Sequence, residues 1–266
     1  MNAIISLKSL KMIVTDLDNT LLRNDKSLSE YSKNIIQKFK KSGIPIIFAT
    51  ARPERGAQNI GIIPDGIISN NGALVRYDDK IIYNKSISFS VRKKLIEELI
   101  NTKEIKGITA EDNNFLHTNC YKEEFEKLAD FWRPKFTDFN KIPDTAIYKI
   151  AIHTKNQKLL NEIIKKYNEC HIESSSGEDW HILTHRDATK MNAINALTNF
   201  LDIEIKNIIA FGDDNNDLEM IKNCGVGVAV SNAIDNVRKV ADFITKSNNK
   251  DGVAKFLDNL LKKMGT

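Results

Sequence analysis

The sequence predicts an α/β protein in which a parallel sheet, covered by helices, is interrupted by an α+β module. Apolar strands alternate with helical segments at both ends of the chain, which is typical of a parallel sheet with helical crossovers. Between about residues 83 and 185 the strand candidates resemble hairpin partners instead. With 266 residues, 41% of them hydrophobic, the chain is long enough for both parts.

The first third of the chain reads as strand, helix, strand and hairpin. Met12–Val14 is an apolar strand that leads into the sequence IVTDLDNTLL. Ser29–Lys41 has apolar residues at helical spacing, and Ile44–Ala49 is a second apolar strand. The sequence GIISNNGALV, residues 66–75, is a strand followed by an Asn-Gly turn, which favours a hairpin.

The middle of the chain predicts mixed elements, and the last third returns to alternation. We expect middle helices at Val91–Ile100, Glu123–Phe131 and Leu159–Tyr167, and strands at Gly107–Ala110, Phe115–Thr118, Ala146–His153, His171–Glu173 and Trp180–Leu183. We expect late strands at Asn207–Phe211, Val226–Val230 and Phe243–Ile244, and helices at Leu218–Lys222, Ala233–Val240 and Val253–Leu261. The expected domains are therefore a core at 1–82 and 186–266 and an inserted domain at 83–185.

Polar groups follow several of the core strands. Asp16 and Asp18 follow the first strand, and side chains two residues apart on an extended chain point the same way. Two anions on one side repel each other, which indicates a cation between them. Thr50 follows the second strand, the sequence GDDNND (residues 212–217) follows a late strand, and Lys190 begins the helix before that strand. Carboxylates suit Mg²⁺, and a hydroxyl and an ammonium suit phosphate oxygens, so this edge of the sheet predicts a site for both.

These motifs, in this order, resemble the haloacid dehalogenase superfamily of phosphohydrolases. The resemblance rests on DLDNTLL, Thr50, Lys190 and GDDNND. The position and size of the insertion, together with SNNGA at residues 69–73 and DGVAKFL at residues 251–257, are similar to the Cof-type, C2B-capped, sugar-phosphatase-like branch. The resemblance covers nearly the whole chain and implies a Rossmann-like, doubly wound core with a C2B-type cap.

The resemblance also implies roles for individual residues. Asp16 matches the nucleophile that forms an aspartyl-phosphate. Asp18 matches the general acid/base; as an acid it needs a raised pKa, which the nearby Asp16 charge favours and Mg²⁺ opposes. Mg²⁺ would be held by Asp16, the backbone carbonyl of Asp18, Asp213 and, in support, Asp217. Phosphate or substrate would be bound by Thr50, Arg52, Lys190 and Asn216.

Four positions depart from the pattern of this superfamily. Asn19, Ala51, Met191 and Ser231 stand where many relatives have Gly. None of the four removes a reacting group, and each reshapes the expected substrate pocket. Asn tolerates unusual backbone angles better than most residues, so the turn at Asn19 is still expected to form.

Composition limits the class of protein further. The formal charge of +4, with both signs interspersed, argues against nucleic acid as a partner. The N-terminus lacks the apolar region of a signal peptide, and no apolar run approaches the roughly 20 residues of a membrane span. The three cysteines lie far apart and are expected to be buried free thiols. We therefore expect a cytoplasmic monomer or homodimer whose partner is a small-molecule phosphate ester.

The predicted function is that of a Mg²⁺-dependent phosphatase. A sugar phosphate is the plainest substrate, and a nucleotide, a cofactor phosphate or a polyol phosphate fits the same motifs. One alternative is a phosphotransferase or phosphomutase, in which another acceptor attacks the phosphorylated Asp16. A second is a non-enzymatic relative. The first-strand DxD and the long insertion argue against a phospho-acceptor, and the presence of every reacting group argues against a relative that only binds a ligand.

Overall fold

The computed structural model describes residues 9–58, 60–120, 130–141, 144–174 and 179–263. The chain divides into two compact units. Unit 1 comprises Met1–Arg52, Ala57–Tyr83 and Thr189–Thr266, and unit 2 comprises Pro53–Gly56 and Asn84–Ala188. The short segment Pro53–Gly56, which lies inside the predicted first core segment 1–82, thus belongs to unit 2.

The strands are three to six residues long. In chain order they are β1 (Met12–Thr15), β2 (Ile46–Ala49), β3 (Gly66–Ser69), β4 (Leu74–Tyr77), β5 (Lys80–Asn84), β6 (Gly107–Glu111), β7 (Leu116–Thr118), β8 (Pro134–Phe136), β9 (Lys149–His153), β10 (Cys170–Ser174), β11 (Trp180–His185), β12 (Ile208–Gly212), β13 (Val226–Val230) and β14 (Phe243–Thr245).

The helices alternate with these strands at both ends of the chain. In chain order they are α1 (Glu30–Lys41), α2 (Glu54–Ala57), α3 (Phe89–Ile100), α4 (Gln157–Lys166), α5 (Lys190–Leu201), α6 (Leu218–Asn223), α7 (Asp235–Val240) and α8 (Gly252–Lys262). Among the described residues, no helix is long and apolar enough to cross a membrane.

Unit 1 is built on a sheet with the strand order β14-β13-β12-β1-β2-β3-β4-β5. The strands from β14 to β3 are parallel, and every residue of β1, β2, β3, β12 and β13 is buried. A parallel sheet buried on both faces needs apolar residues at every strand position, which is why these strands stand out as continuous apolar runs. The predicted α/β fold with a doubly wound parallel core is confirmed.

The predicted hairpin is formed by β3 and β4, which pair antiparallel. Its turn contains Asn70, Asn71 and Gly72, all three with positive φ. A Cβ atom at Gly72 would lie 2.2 Å from the backbone of Thr189, the residue before α5. Only glycine therefore lets this turn lie against the start of α5.

Unit 2 contains a second sheet with the strand order β10-β11-β9-β6-β7-β8. Its pairs are antiparallel except for the parallel pair of β7 and β8. Alternate residues of β9 are buried, so one face of the sheet contributes to a core that includes Leu95 and Ile96 of α3 and Leu160 and Ile163 of α4. This mixture of hairpins and helices is the predicted α+β module.

Two strands were not predicted, and one predicted helix lies largely outside the described residues. All of β8 is exposed, and β5 has no buried residue, so neither has the apolar pattern of a core strand. The predicted helix Glu123–Phe131 falls mostly on residues outside those described; its end coincides with the 3₁₀ turn Asp130–Trp132. The three cysteines are buried thiols outside any disulfide, as predicted.

The segment Pro53–Gly56 is held in unit 2 by Arg55. The guanidinium donates hydrogen bonds to the backbone carbonyls of Phe131, Trp132 and Asp112, at 2.5, 3.0 and 2.9 Å. It also forms an ion pair of 3.0 Å with Glu111, and the two side chains are only 7% and 2% exposed. A buried guanidinium whose donors are used in this way fixes the segment firmly.

Removal of the Arg55 guanidinium should destabilise unit 2. Arg55→Met leaves the Glu111 charge buried without its closest cation, which we expect to lower the free energy of unfolding by about 3 kcal/mol. The loss should be partly recovered in the double variant Arg55→Met/Glu111→Gln, as measured by urea unfolding. As a control, Lys206→Met removes an exposed ion pair with Glu204 and should change the free energy by less than about 0.5 kcal/mol. Equal free energies of unfolding for Arg55→Met and for Arg55→Met/Glu111→Gln would contradict the expectation.

Candidate active site

The carboxyl end of β1 leads into a turn, Leu17–Leu21, in which Asp18 and Asn19 have non-helical backbone angles. Asp16 precedes this turn, and the backbone N–H of Leu22 donates to the carbonyl of Leu17 at 2.8 Å. Asn19, inside the turn, has a φ of 58°, a left-handed conformation that Asn adopts more readily than most residues. The turn therefore forms with Asn where many relatives have Gly.

Three of the predicted site carboxylates form one buried group. One oxygen each of Asp16, Asp213 and Asp217 lies within 4.8 Å of the others. Thr20 Oγ1 donates to Asp213 Oδ1 at 2.6 Å, and Asp217 Oδ2 accepts from the backbone N–H of Asp213 at 2.9 Å. Because β1 and β12 are neighbours in the sheet, the segments that follow them meet at the same edge.

Lys190 lies among these carboxylates. Its ammonium donates to Asp16 Oδ1 at 2.7 Å and to Asp217 Oδ1 at 2.6 Å, and the side chain is fully buried. Lys190 is the first residue of α5, after Thr189, whose hydroxyl caps the helix. A cation at a helix N-terminus is unfavourable with respect to the helix dipole, so the two carboxylates supply the compensating interaction.

The charges of this group do not balance. Three carboxylates and one ammonium leave a formal charge of −2 in a buried space. Burial raises the pKa of Asp16 to about 8; the Lys190 charge opposes the rise, and the Asp217 and Asp213 charges add to it. Burial likewise raises the pKa of Asp213 to about 6, against the hydrogen bond from Thr20.

The ammonium itself stays charged. Burial alone would lower the pKa of Lys190, but the charges of Asp16 and Asp217 outweigh burial and raise it. The remaining negative charge can be balanced by protons or by a cation. A set of carboxylate oxygens is the donor set of a hard divalent cation, and a buried acidic group able to bind a metal ion is therefore present.

Asp18 does not belong to this acidic group. Its carboxylate accepts two hydrogen bonds of 2.6 Å from the Arg52 guanidinium. It also forms an ion pair of 2.8 Å with Lys26. Burial raises the pKa of Asp18, but the bonds and charges of Arg52 and Lys26 outweigh it, so the pKa is lowered. The expectation that the Asp16 charge raises the pKa of Asp18 is wrong, because β1 ends at Thr15 and the Asp18 side chain meets two cations.

The remaining predicted residues follow β2 and β12, at the same edge of the sheet as this group. Thr50, buried at the end of β2, accepts a hydrogen bond of 3.1 Å from the backbone N–H of Arg52 through its hydroxyl. Asn216 donates from its side-chain amide to Asn71 Oδ1 at 2.9 Å, and the backbone N–H of Asn71 donates to the Thr50 carbonyl at 3.0 Å. Asn216 and Thr50 are thus connected through the hairpin turn.

Sequence reasoning missed two contributors to the site. Thr20 bonds Asp213, and it lies within DLDNTLL, so the motif itself carried the signal. Lys26, in the loop after the turn, has a φ of 65°, and its ammonium forms an ion pair with Asp18. No motif marks that lysine, because the contact depends on the path of the loop.

Comparison with known proteins agrees with this architecture. A family model described as haloacid dehalogenase-like hydrolase matches residues 13–257. The 5-amino-6-(5-phospho-D-ribitylamino)uracil phosphatase YitU of Bacillus subtilis is 30% identical, over 92% of this chain and 96% of that protein. A haloacid dehalogenase-like hydrolase of Bacteroides thetaiotaomicron has a similar structure, with a TM-score of 0.83, 26% identity and coverage of 94% of this chain and 99% of that one. The HAD subclass IIB sugar phosphatase BT4131 shares the fold at 19% identity, with a TM-score of 0.75 over 94% of this chain and 98% of its own.

Substitution of the buried lysine should make stability depend on pH in a defined direction. Lys190→Met leaves the three carboxyls without their cation, so folding favours their protonated forms. In the parent, Asp213 and Asp16 release their protons with pKa values of about 6 and about 8, and the Lys190 charge lowers both pKa values. Without the ammonium both pKa values should rise further, so as pH rises through and above this range the variant continues to lose stability after the parent has stopped. We expect the gap in melting temperature between parent and variant to widen from about pH 5.5 to about pH 8.5. Lys206→Met, at an exposed position, should show no widening; a constant gap for Lys190→Met would count against this assignment of charge.

Proposed function

The chain belongs to the haloacid dehalogenase-like hydrolases and is a phosphatase of that superfamily, and we propose that it is a Mg²⁺-dependent enzyme acting on a small soluble phosphate ester. The observation that carries the proposal is the buried group of Asp16, Asp213 and Asp217 with Lys190 among them. A buried group with more carboxylates than ammonium groups lowers the stability of the fold. Its presence is explained if the group binds a charged reaction partner.

The proposed substrate is a sugar phosphate or a related phosphate ester. YitU, a relative with 30% identity, is named for a substrate that carries its phosphate on a ribityl chain. From that name we transfer only the chemical class, a phosphate on a polyhydroxylated carbon chain. Hydrolysis of such an ester breaks the bond between phosphorus and the leaving alcohol, so a nucleophile and a proton donor are both required.

The residues present fit a magnesium ion. It would be held by the carboxylates of Asp16 and Asp213 and the backbone carbonyl of Asp18, with Asp217 in support. When bound, Mg²⁺ neutralises charge on the phosphate and on the carboxylates around it. Lys190 then needs to balance only part of the negative charge, while it keeps Asp16 in place through the 2.7 Å bond.

In the proposed first step, Asp16 attacks phosphorus and the leaving alcohol takes a proton from Asp18. The new bond joins a carboxylate oxygen of Asp16 to phosphorus, and the bond to the ester oxygen breaks. Asp18 needs a proton for this step, and the bonds from Arg52 and Lys26 oppose protonation. We therefore propose that Arg52 turns from Asp18 to the incoming phosphate, whose oxygens suit a bidentate guanidinium.

In the proposed second step, Asp18 acts as a base. A water molecule attacks the phosphorus of the aspartyl-phosphate, Asp18 takes the proton of that water, and Asp16 is released. Asp18 is anionic after it has given its proton to the leaving alcohol, and the ion pair with Lys26 favours that form. The phosphotransferase alternative differs only in that an alcohol replaces water as the acceptor.

The first test is phosphate release from an aryl phosphate and from a panel of sugar phosphates, with and without Mg²⁺. Asp16→Asn keeps the size of the side chain but removes the anionic nucleophile, and we expect kcat to fall by at least about 10³-fold. Asp202→Asn is a matched control, because Asp202 is exposed and has a left-handed backbone that Asn tolerates. Equal activity of parent and Asp16→Asn would refute the nucleophile. Transfer of phosphate to an added sugar phosphate, in preference to water, would favour the phosphotransferase alternative.

Magnesium binding should release protons. Asp16 has a pKa of about 8, so near neutral pH its carboxyl retains a proton that a bound cation must displace. We expect affinity for Mg²⁺ to fall as pH is lowered from about 8 to about 6. Titration calorimetry in buffers of different ionisation enthalpy counts the protons. Asp213→Asn should weaken binding, whereas Asp202→Asn should not, and an affinity that does not vary with pH would contradict the expectation.

A further inference from the structure

Two asparagine side chains hold the backbone of the turn after β1. Asn232 Nδ2 donates to the carbonyl oxygen of Asn19 at 2.8 Å, and Asn248 Nδ2 donates to the carbonyl oxygen of Leu22 at 3.1 Å. The two asparagines are themselves joined, because the backbone N–H of Asn248 donates to Asn232 Oδ1 at 2.9 Å. They form a continuous amide bridge, defined here as Asn232 and Asn248 with the two carbonyls that they bind.

The bridge comes from two loops at the same edge of the sheet as Asp16. Asn232 follows β13, and Asn248 follows β14 in a 3₁₀ turn before α8. Asn248 is only 2% exposed, and its Nδ2 also donates to Asn24 Oδ1 at 2.8 Å. A buried amide is costly unless its donors are used, so this side chain is committed to the loop that leaves the turn.

The turn needs such support because it carries a strained residue and a reacting one. Asn19 has a φ of 58° and directly follows Asp18. The next residue, Thr20, donates a hydrogen bond from its hydroxyl to Asp213 Oδ1 at 2.6 Å. The Asp18 carboxylate is held by the long side chains of Arg52 and Lys26. The peptide between Asn19 and Thr20, one residue beyond Asp18, is therefore oriented by Asn232, and the exit of the turn is oriented by Asn248.

We propose that Asn232 and Asn248 are positioning residues for the phosphatase reaction. By holding the Asn19 and Leu22 carbonyls, the amide bridge keeps the Leu17–Leu21 turn in the form that aims Asp18 at the leaving-group oxygen and at the attacking water. The inference rests on the proposed role of Asp18 as acid and base. A small displacement of such a group lowers the rate of the chemical steps more than it weakens substrate binding.

The variant Asn232→Asp tests one hydrogen bond of the bridge, the one from Asn232 Nδ2 to the Asn19 carbonyl. Asp keeps the oxygen that accepts from the Asn248 N–H but lacks the donor to the Asn19 carbonyl. We expect kcat for an aryl phosphate to fall roughly 10-fold or more, KM to change by less than about threefold, and the melting temperature to stay the same. We also expect faster hydrogen exchange at the Leu22 N–H, whose 2.8 Å bond to the Leu17 carbonyl closes the turn.

Asn249→Asp is the matched control. Asn249 is exposed in the same loop, and its Oδ1 accepts from the Asn24 N–H at 3.0 Å, a bond that Asp retains. This variant should have parental kcat and parental exchange at Leu22. Unchanged kcat or unchanged Leu22 exchange in Asn232→Asp would overturn the proposal, and so would a loss of kcat that merely follows a lower melting temperature. Failure of the proposed function would differ from both, because the parent itself would release no phosphate from the panel.

Discussion

The ion pairs of Lys190 with Asp16 and Asp217 are the interaction on which the site depends. They join residues that are far apart in the chain, from the residue after β1, the turn after β12 and the start of α5. Because the ammonium is fully buried, its position is set by packing as well as by charge. Gly72 contributes to that packing, since its lack of a side chain lets the hairpin turn approach the residue before α5.

The sheet explains why such distant residues meet. β1 lies between β12 and β2, so the segments that follow these three strands share one edge. A single negative cluster there would lower stability, and the fold tolerates it because backbone N–H groups, Thr20 and Lys190 satisfy the carboxylate oxygens. The stability of the core and the reactivity of the site therefore place opposite demands on the same residues.

Much of the fold could be predicted from the sequence because its central strands are buried on both faces and read as apolar runs. The edge strands β5 and β8 could not, since exposed residues carry no periodic signal. The acidic positions after β1 and β12 follow from motif and strand order. The partners of Asp18 do not, because Arg52 and Lys26 reach it through loop paths that local sequence does not encode.

The segment Pro53–Gly56 has a consequence for how this architecture can be modified. Unit 2 is not a single insertion, because it also incorporates these four residues from the loop that follows Thr50 and Arg52. Excision of residues 84–188 would leave Arg55 without the carbonyls and carboxylate that bind it. A chimera that exchanges this unit with that of a relative must therefore transplant two pieces of chain together. Any recombination point placed between them would separate a buried cation from its anion.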